Sequence, residues 1–235
     1  MSITLIVTLV FAPSLFWFGY FYYHDRFKPE PPILTALSYL LGFFSGWLCL
    51  QSYESFFSRY KIPLGDSGLV GMNLSFLLYC ILVVGLVEEL FKFVPFWVMT
   101  RFSDFNEEID GIFYASAVAL GFASYENIHY LPQLTGFVLV GRAFASPLSH
   151  TIFASVWGYL VGRKRVHGQR IWPAAVIGVG LASVSHGLFD FLTFSPVWRL
   201  LGALMLLVLW LWRIKTSEMI AAKGVVKVRD PFFRK

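Results

Sequence analysis

Acids, imidazoles and one lysine occur inside stretches of this chain that are otherwise apolar. LVEELFKF carries Glu88, Glu89 and Lys92, and GFASYENIHY carries Glu126, Asn127 and His129. Further on stand Arg142, the isolated His150 in SPLSHTIF, and His186 with Asp190 in SHGLFD. A charge at the centre of a membrane helix costs about 3 kcal/mol on insertion scales, so residues of this kind must face one another, a metal or a wet cavity.

Helical spacing says which of them share a face. Glu88 and Lys92 are i,i+4 with the acid first, the favourable order, and Glu89 reaches the same lysine at i+3. Neighbouring residues diverge by about 100°, so the two glutamates cannot address one substrate atom. One reads as a base, and the other as a brace or a partner of Lys92. Phe122 and Glu126 share a face, as do His186 and Asp190, and His150 shares one with Ser146 and Arg142.

Neutral imidazole and carboxylate are ligands that zinc accepts, and catalytic zinc sites use three protein ligands with a water in the open position. Glu126, His150 and His186 would make such a set around one divalent ion, with His129 or Asp190 as alternative ligands. The ion would lower the pKa of its water, Glu88 or Glu89 would take the proton, and Asp190 would orient an imidazole. Neither HExxH nor GxSxG is present. Among hydrolytic chemistries this leaves metal-activated water best supported.

The elements that must position these side chains follow from composition. Of 235 residues, 57% are apolar or aromatic and only 14% are charged, well beyond the usage of soluble domains. The expected fold is all-α, a polytopic transmembrane helical bundle. Apolar runs fall at about Ile3–Tyr23, Ile33–Tyr53, Leu69–Thr100, Gly111–Leu131, Phe137–Val161, Ile171–Phe194 and Val197–Trp212. That is about seven spans, or eight if the fifth, which holds Arg142 and Pro147, divides. Seven spans consume roughly 140 residues and leave no room for a soluble domain. Residues 1–212 read as one membrane domain and 213–235 as a short basic tail.

With seven spans, fourteen of the nineteen Lys and Arg residues fall on one side, the tail included, against Arg59, Lys61 and Arg199 on the other. The positive-inside rule therefore predicts an outside N-terminus and a cytoplasmic C-terminus. Lipid attraction accounts for the basic tail, and no nucleic-acid partner is expected. Cys49 and Cys80 form no CxxC pattern and read as core fillers.

The EELFK stretch, NEEIDGIFYASAVALGFASYENIHY with its Phe-x-x-x-Glu-Asn core, the isolated His150 and His186-x-x-x-Asp190 resemble, in order and spacing, the PrsW family of bacterial intramembrane proteases. The HDRFKPEPP loop, with Asp25, Arg26, Glu30 and Pro31, is similar to that family's first cytoplasmic connection. The resemblance runs from about residue 20 to 195. Through the more distant CAAX prenyl proteases and the CPBP (Abi) family it implies a conical intramembrane cavity with Glu88 and Glu89 as the catalytic pair. Glu126, His150 and His186 would surround a water or metal, with Lys92, Phe122, Asn127 and Asp190 around them. The wider family commonly has histidine in place of Glu126 and asparagine in place of Asp190, which favours PrsW.

The activity so implied is site-1 cleavage of a single-pass anti-sigma factor on the extracytoplasmic side of the bacterial inner membrane. A proton- or cation-coupled transporter uses similar residues, but inverted repeats and paired broken helices are not evident. A non-catalytic scaffold would be expected to have lost some of the five central residues, and all five are present.

Overall fold

The computed structural model describes residues 2–24, 30–60, 73–194 and 197–229, and these form helices and their connections with no strand among them. Asp25 and Arg26 of the first connection, and the start of the third apolar run at Leu69, lie outside the described residues. The helices are α1 (Ile3–His24), α2 (Pro32–Tyr60), α3 (Leu74–Tyr79), α4 (Leu86–Met99), α5 (Glu108–Tyr130), α6 (Gly136–Val166), α7 (Trp172–Phe194) and α8 (Arg199–Arg229). A π-helical turn, Cys80–Gly85, joins α3 to α4, so the two make one rod. The described residues form an all-α polytopic bundle of seven such rods. The fifth predicted span is one helix, α6, with Pro147 inside it. α8 continues past residue 212 to Arg229.

Six of these rods are long and apolar enough to cross a membrane: Ile3–Tyr23, Pro32–Ser55, Leu74–Met99, Gly136–Val166, Trp172–Phe194 and Arg199–Ile220. The seventh, α5, has the same 23 residues as α7 but is diluted by Gly, Ala, Ser and three acids. Its position explains its composition. From Asp110 to Ser124 every residue is buried, and α5 packs against α1, α2, α4, α6 and α8. A helix with neighbours on all sides needs small residues for close approach more than it needs apolar ones for lipid.

Three seams show that approach. A Cβ on Gly121 would lie 1.9 Å from the Tyr39 carbonyl of α2, and one on Gly158 of α6 would lie 2.5 Å from the Gly111 carbonyl of α5. At the third seam a Cβ on Gly187 of α7 would come within 2.4 Å of the Cys80 carbonyl and of Ile81 Cα. This last contact sets the π turn, and hence the start of α4, directly against α7. The Tyr53 hydroxyl of α2 donates to the Val83 and Val84 carbonyls of the same turn, at 3.2 and 3.3 Å. π turns leave backbone groups that need such partners and concentrate at functional sites.

The apolar core lies between α4, α5, α6 and α7, around Phe96, Phe105, Tyr114, Phe153 and Trp157. α8 is fixed by Arg213, which is buried, stacks over the Phe21 ring and donates to the Ser116 hydroxyl at 2.8 Å.

Candidate active site

The π turn delivers Glu88 and Glu89 into the bundle on the first turn of α4, where both are buried, Glu89 completely. Adjacent on the helix, they diverge as the sequence requires. Glu89 Oε1 accepts from Lys92 Nζ at 2.5 Å and from His186 Nδ1 at 3.0 Å, and its Oε2 accepts from Trp157 Nε1 at 2.8 Å. Both of its oxygens are committed. Glu88 Oε2, in contrast, is buried without a hydrogen-bond partner, and the nearest imidazole nitrogen, His186 Nε2, is 3.7 Å away.

One imidazole therefore touches both glutamates. His186 Nδ1 faces Glu89 and carries a proton, while Nε2 points between Glu88 Oε2 and Asp190 Oδ2, at 3.7 and 3.6 Å. A carboxylate behind one imidazole nitrogen is the usual device for fixing the tautomer of a ligand or base histidine.

His150, on α6, stands at right angles to His186 with ring centroids 5.1 Å apart. Lys92 can only donate, so His150 Nδ1 accepts from it at 3.0 Å and Nε2 donates to Glu126 Oε2 at 2.8 Å. Arg142 Nη2 donates to the other Glu126 oxygen at 3.2 Å. A continuous chain of polar contacts thus runs from Arg142 through Glu126, His150, Lys92 and Glu89 to His186. Phe122 closes it on one side, its ring 5.0 Å from Lys92 Nζ and 5.7 Å from His150.

The sequence places Lys92 with either glutamate, and the structure gives it to Glu89 and His150. Glu88, Glu89, Lys92, Phe122, Glu126, His150, His186 and Asp190 all converge. His129 does not, being exposed at the far end of α5. Asn127 is fully buried, but neither of its amide atoms has a partner. Trp157 escapes a sequence reading because tryptophan is ordinary in a core. The available signal is its position seven residues, two turns, beyond His150 on the same face of α6.

A family model described as "PrsW family intramembrane metalloprotease" matches residues 30–213. The chain belongs to the PrsW family. "Protease PrsW" of Oceanobacillus iheyensis is 31% identical over 213 residues, covering 88% of this chain and 93% of its own. "Protease PrsW" of Geobacillus kaustophilus is 28% identical over 205 residues (85% and 84%), and that of Bacillus subtilis is 25% identical over 228 (95% and 99%). No solved structure matches. Membership of PrsW makes this chain an intramembrane protease, a multi-pass protein whose substrates are membrane proteins.

The donor set fits a metal of the kind that the word metalloprotease in the family description implies. Glu88, His150 and His186, all buried, each bring a ligand atom within 4.8 Å of the others. The orphaned Glu88 Oε2 is the kind of buried oxygen that an ion would satisfy. Two imidazoles and one carboxylate are a three-ligand set that leaves a coordination position open. Glu126 stands beside this grouping, its Oε2 2.8 Å from His150 Nε2, and His150 would have to give up its contact with Glu126 or with Lys92 to act as a ligand.

Proposed function

We propose that the chain cleaves a single-pass, anti-sigma-factor-like membrane protein on the extracytoplasmic side of a bacterial inner membrane, by attack of a water activated by Glu88. The observation that carries this reading is the buried Glu88 oxygen left without a hydrogen-bond partner, 3.7 Å from His186 Nε2. Glu88 takes a proton from the water as its oxygen bonds to the scissile carbonyl carbon. It returns that proton to the departing nitrogen as the C–N bond breaks. Glu89 acts by holding His186 in one tautomer and Lys92 in place.

His150 and His186, with Glu126 beside them, would hold one divalent ion within reach of Glu88; we take it to be zinc from the imidazole and carboxylate donors, and when bound it would lower the pKa of the water and polarise the carbonyl. Glu126 is the carboxylate of that set and the hydrogen-bond acceptor for His150 Nε2. The orientation rests on the distribution of basic residues, with the N-terminus outside and the basic C-terminal tail in the cytoplasm, Arg213 itself being buried in the bundle.

The test is co-expression with a doubly tagged single-pass anti-sigma factor, comparing wild type with Glu88→Gln and His186→Ala, with and without chelator and alongside metal analysis of purified protein. Loss of cleavage in both variants, with normal insertion, is expected. Unchanged cleavage in both overturns the reading, and zinc-free protein that resists chelation removes the metal.

A further inference from the structure

Hydrolysis inside a bilayer requires an unwound substrate, because an intact helix shields its peptide bonds. Unwinding leaves N–H and C=O groups without partners where water is scarce, so the enzyme must supply them. Among the described residues, buried side-chain atoms without a hydrogen-bond partner occur on Glu88, Asn127, Arg142, Ser146 and Trp210. Glu88 belongs to the hydrolytic centre, and Trp210 lies on α8 against Trp17. Of the other three, Arg142 and Ser146 lie on α6, on the side that meets Glu126. Asn127 follows it on α5, Arg142 is bonded to it, and Ser146 stands one turn from Arg142 and one turn from His150 on α6.

Ser146 differs from other helical serines of this protein. Ser38, Ser116, Ser124 and Ser183 each return the hydroxyl to the carbonyl one turn back, whereas Ser146 Oγ does not. The next residue, Pro147, has no N–H to give the Ala143 carbonyl. A hydroxyl without a partner and a carbonyl that lacks its helical donor thus adjoin on α6. Arg142, Ser146 and His150 are each four residues apart, a rise of about 6 Å per step, close to the roughly 6.7 Å that separates alternate residues of an extended strand. The stripe borders lipid, since Gly141, Phe144 and Ala145 are exposed and the Arg142 side chain is 33% exposed.

We propose that Arg142 and Ser146 bind the unwound segment of a membrane-spanning substrate as an extended strand running along α6 to His150. Resting on the proteolytic reading above, this assigns the residues that hold the substrate backbone.

The test is disulfide trapping in lipid nanodiscs. Ser146→Cys is placed in a Glu88→Gln background with Cys49→Ala and Cys80→Ala. The probe is a synthetic single-pass peptide of about 24 residues with one cysteine moved through its central positions. Adducts at alternate positions, at least about five-fold stronger than at those between, are expected from an extended strand. Adducts every third or fourth residue, or none, overturn the proposal. Cleavage of the same peptides by the wild-type enzyme separates the two readings. Alternating adducts without any cleavage discard the protease mechanism and keep the strand site, and cleavage with helical adducts does the reverse. Without the added cysteine, Ser146→Ala should raise KM about five-fold, as for one lost hydrogen bond, with a smaller fall in kcat. A fall in kcat alone overturns the role.

Discussion

Glu88 and Glu89 are neighbours in sequence and nearly equal in burial, yet they stand in opposite regions of one site. On the Glu89 side, Lys92, His186 and Trp157 use both carboxylate oxygens, and the aromatic core around Phe96 and Phe153 packs behind them. On the Glu88 side an oxygen is orphaned, Asp190 is partly exposed, and the flanking Glu126 is reached by an arginine that meets the lipid border. The contrast separates two uses of a buried acid. A carboxylate whose lone pairs are all used holds a framework, while one that is left wanting can take up a proton or an ion.

That comparison can be broken by substitution. Glu88→Gln should lower cleavage by about 10²–10⁴-fold, the usual worth of a general base, while thermal unfolding in detergent stays close to wild type. Glu89→Ala should also abolish cleavage but cost about 3–5 kcal/mol of stability, because it strands the Lys92 charge in the interior. Adding Lys92→Met should recover part of that loss in a double-mutant cycle. If the two glutamate variants unfold alike, the distinction between framework and reagent is wrong.

Gly187→Ala would put a new methyl 2.4 Å from backbone atoms of Cys80 and Ile81 in the π turn, and a cost of about 3 kcal/mol or more is expected. Because that turn aims Glu88, cleavage should fall further than stability alone explains. Wild-type turnover in this variant would show that the turn does not position the base. Trp157→Phe keeps the ring in the core and removes one donor to Glu89, for an expected cost of about 1.5–3 kcal/mol measured by denaturant titration.

Much of the site is legible in the amino-acid sequence. Intramembrane cost singles out the polar residues, and a period of three to four residues puts His186 with Asp190 and His150 with Arg142. Contacts between helices are not legible there. Lys92 has two acids at helical distance, and only the rotation of α4 against α6 and α7 gives it to Glu89 and His150. The same rotation brings Glu88 into the grouping with the histidines, a place that ligand chemistry alone offers equally to Glu126. Nor can spacing show that one imidazole bridges both glutamates, or that the small residues of α5 mark a helix enclosed by others.

The enclosure of α5 has a consequence for how the protein is made. The segment that carries Phe122 and Glu126 is not among the six described helices long and apolar enough to cross a membrane, so its own transfer into lipid is weak. Its glycine faces find their backbone partners only in α2, before it, and in α6, after it. A nascent chain that stops short of α6 therefore holds α5 without half of its binding surface, and helix association must complete what insertion alone does poorly. Membrane quality control should find truncated forms at that point, and the hydrolytic centre comes into being only after the last of its helices has been synthesised.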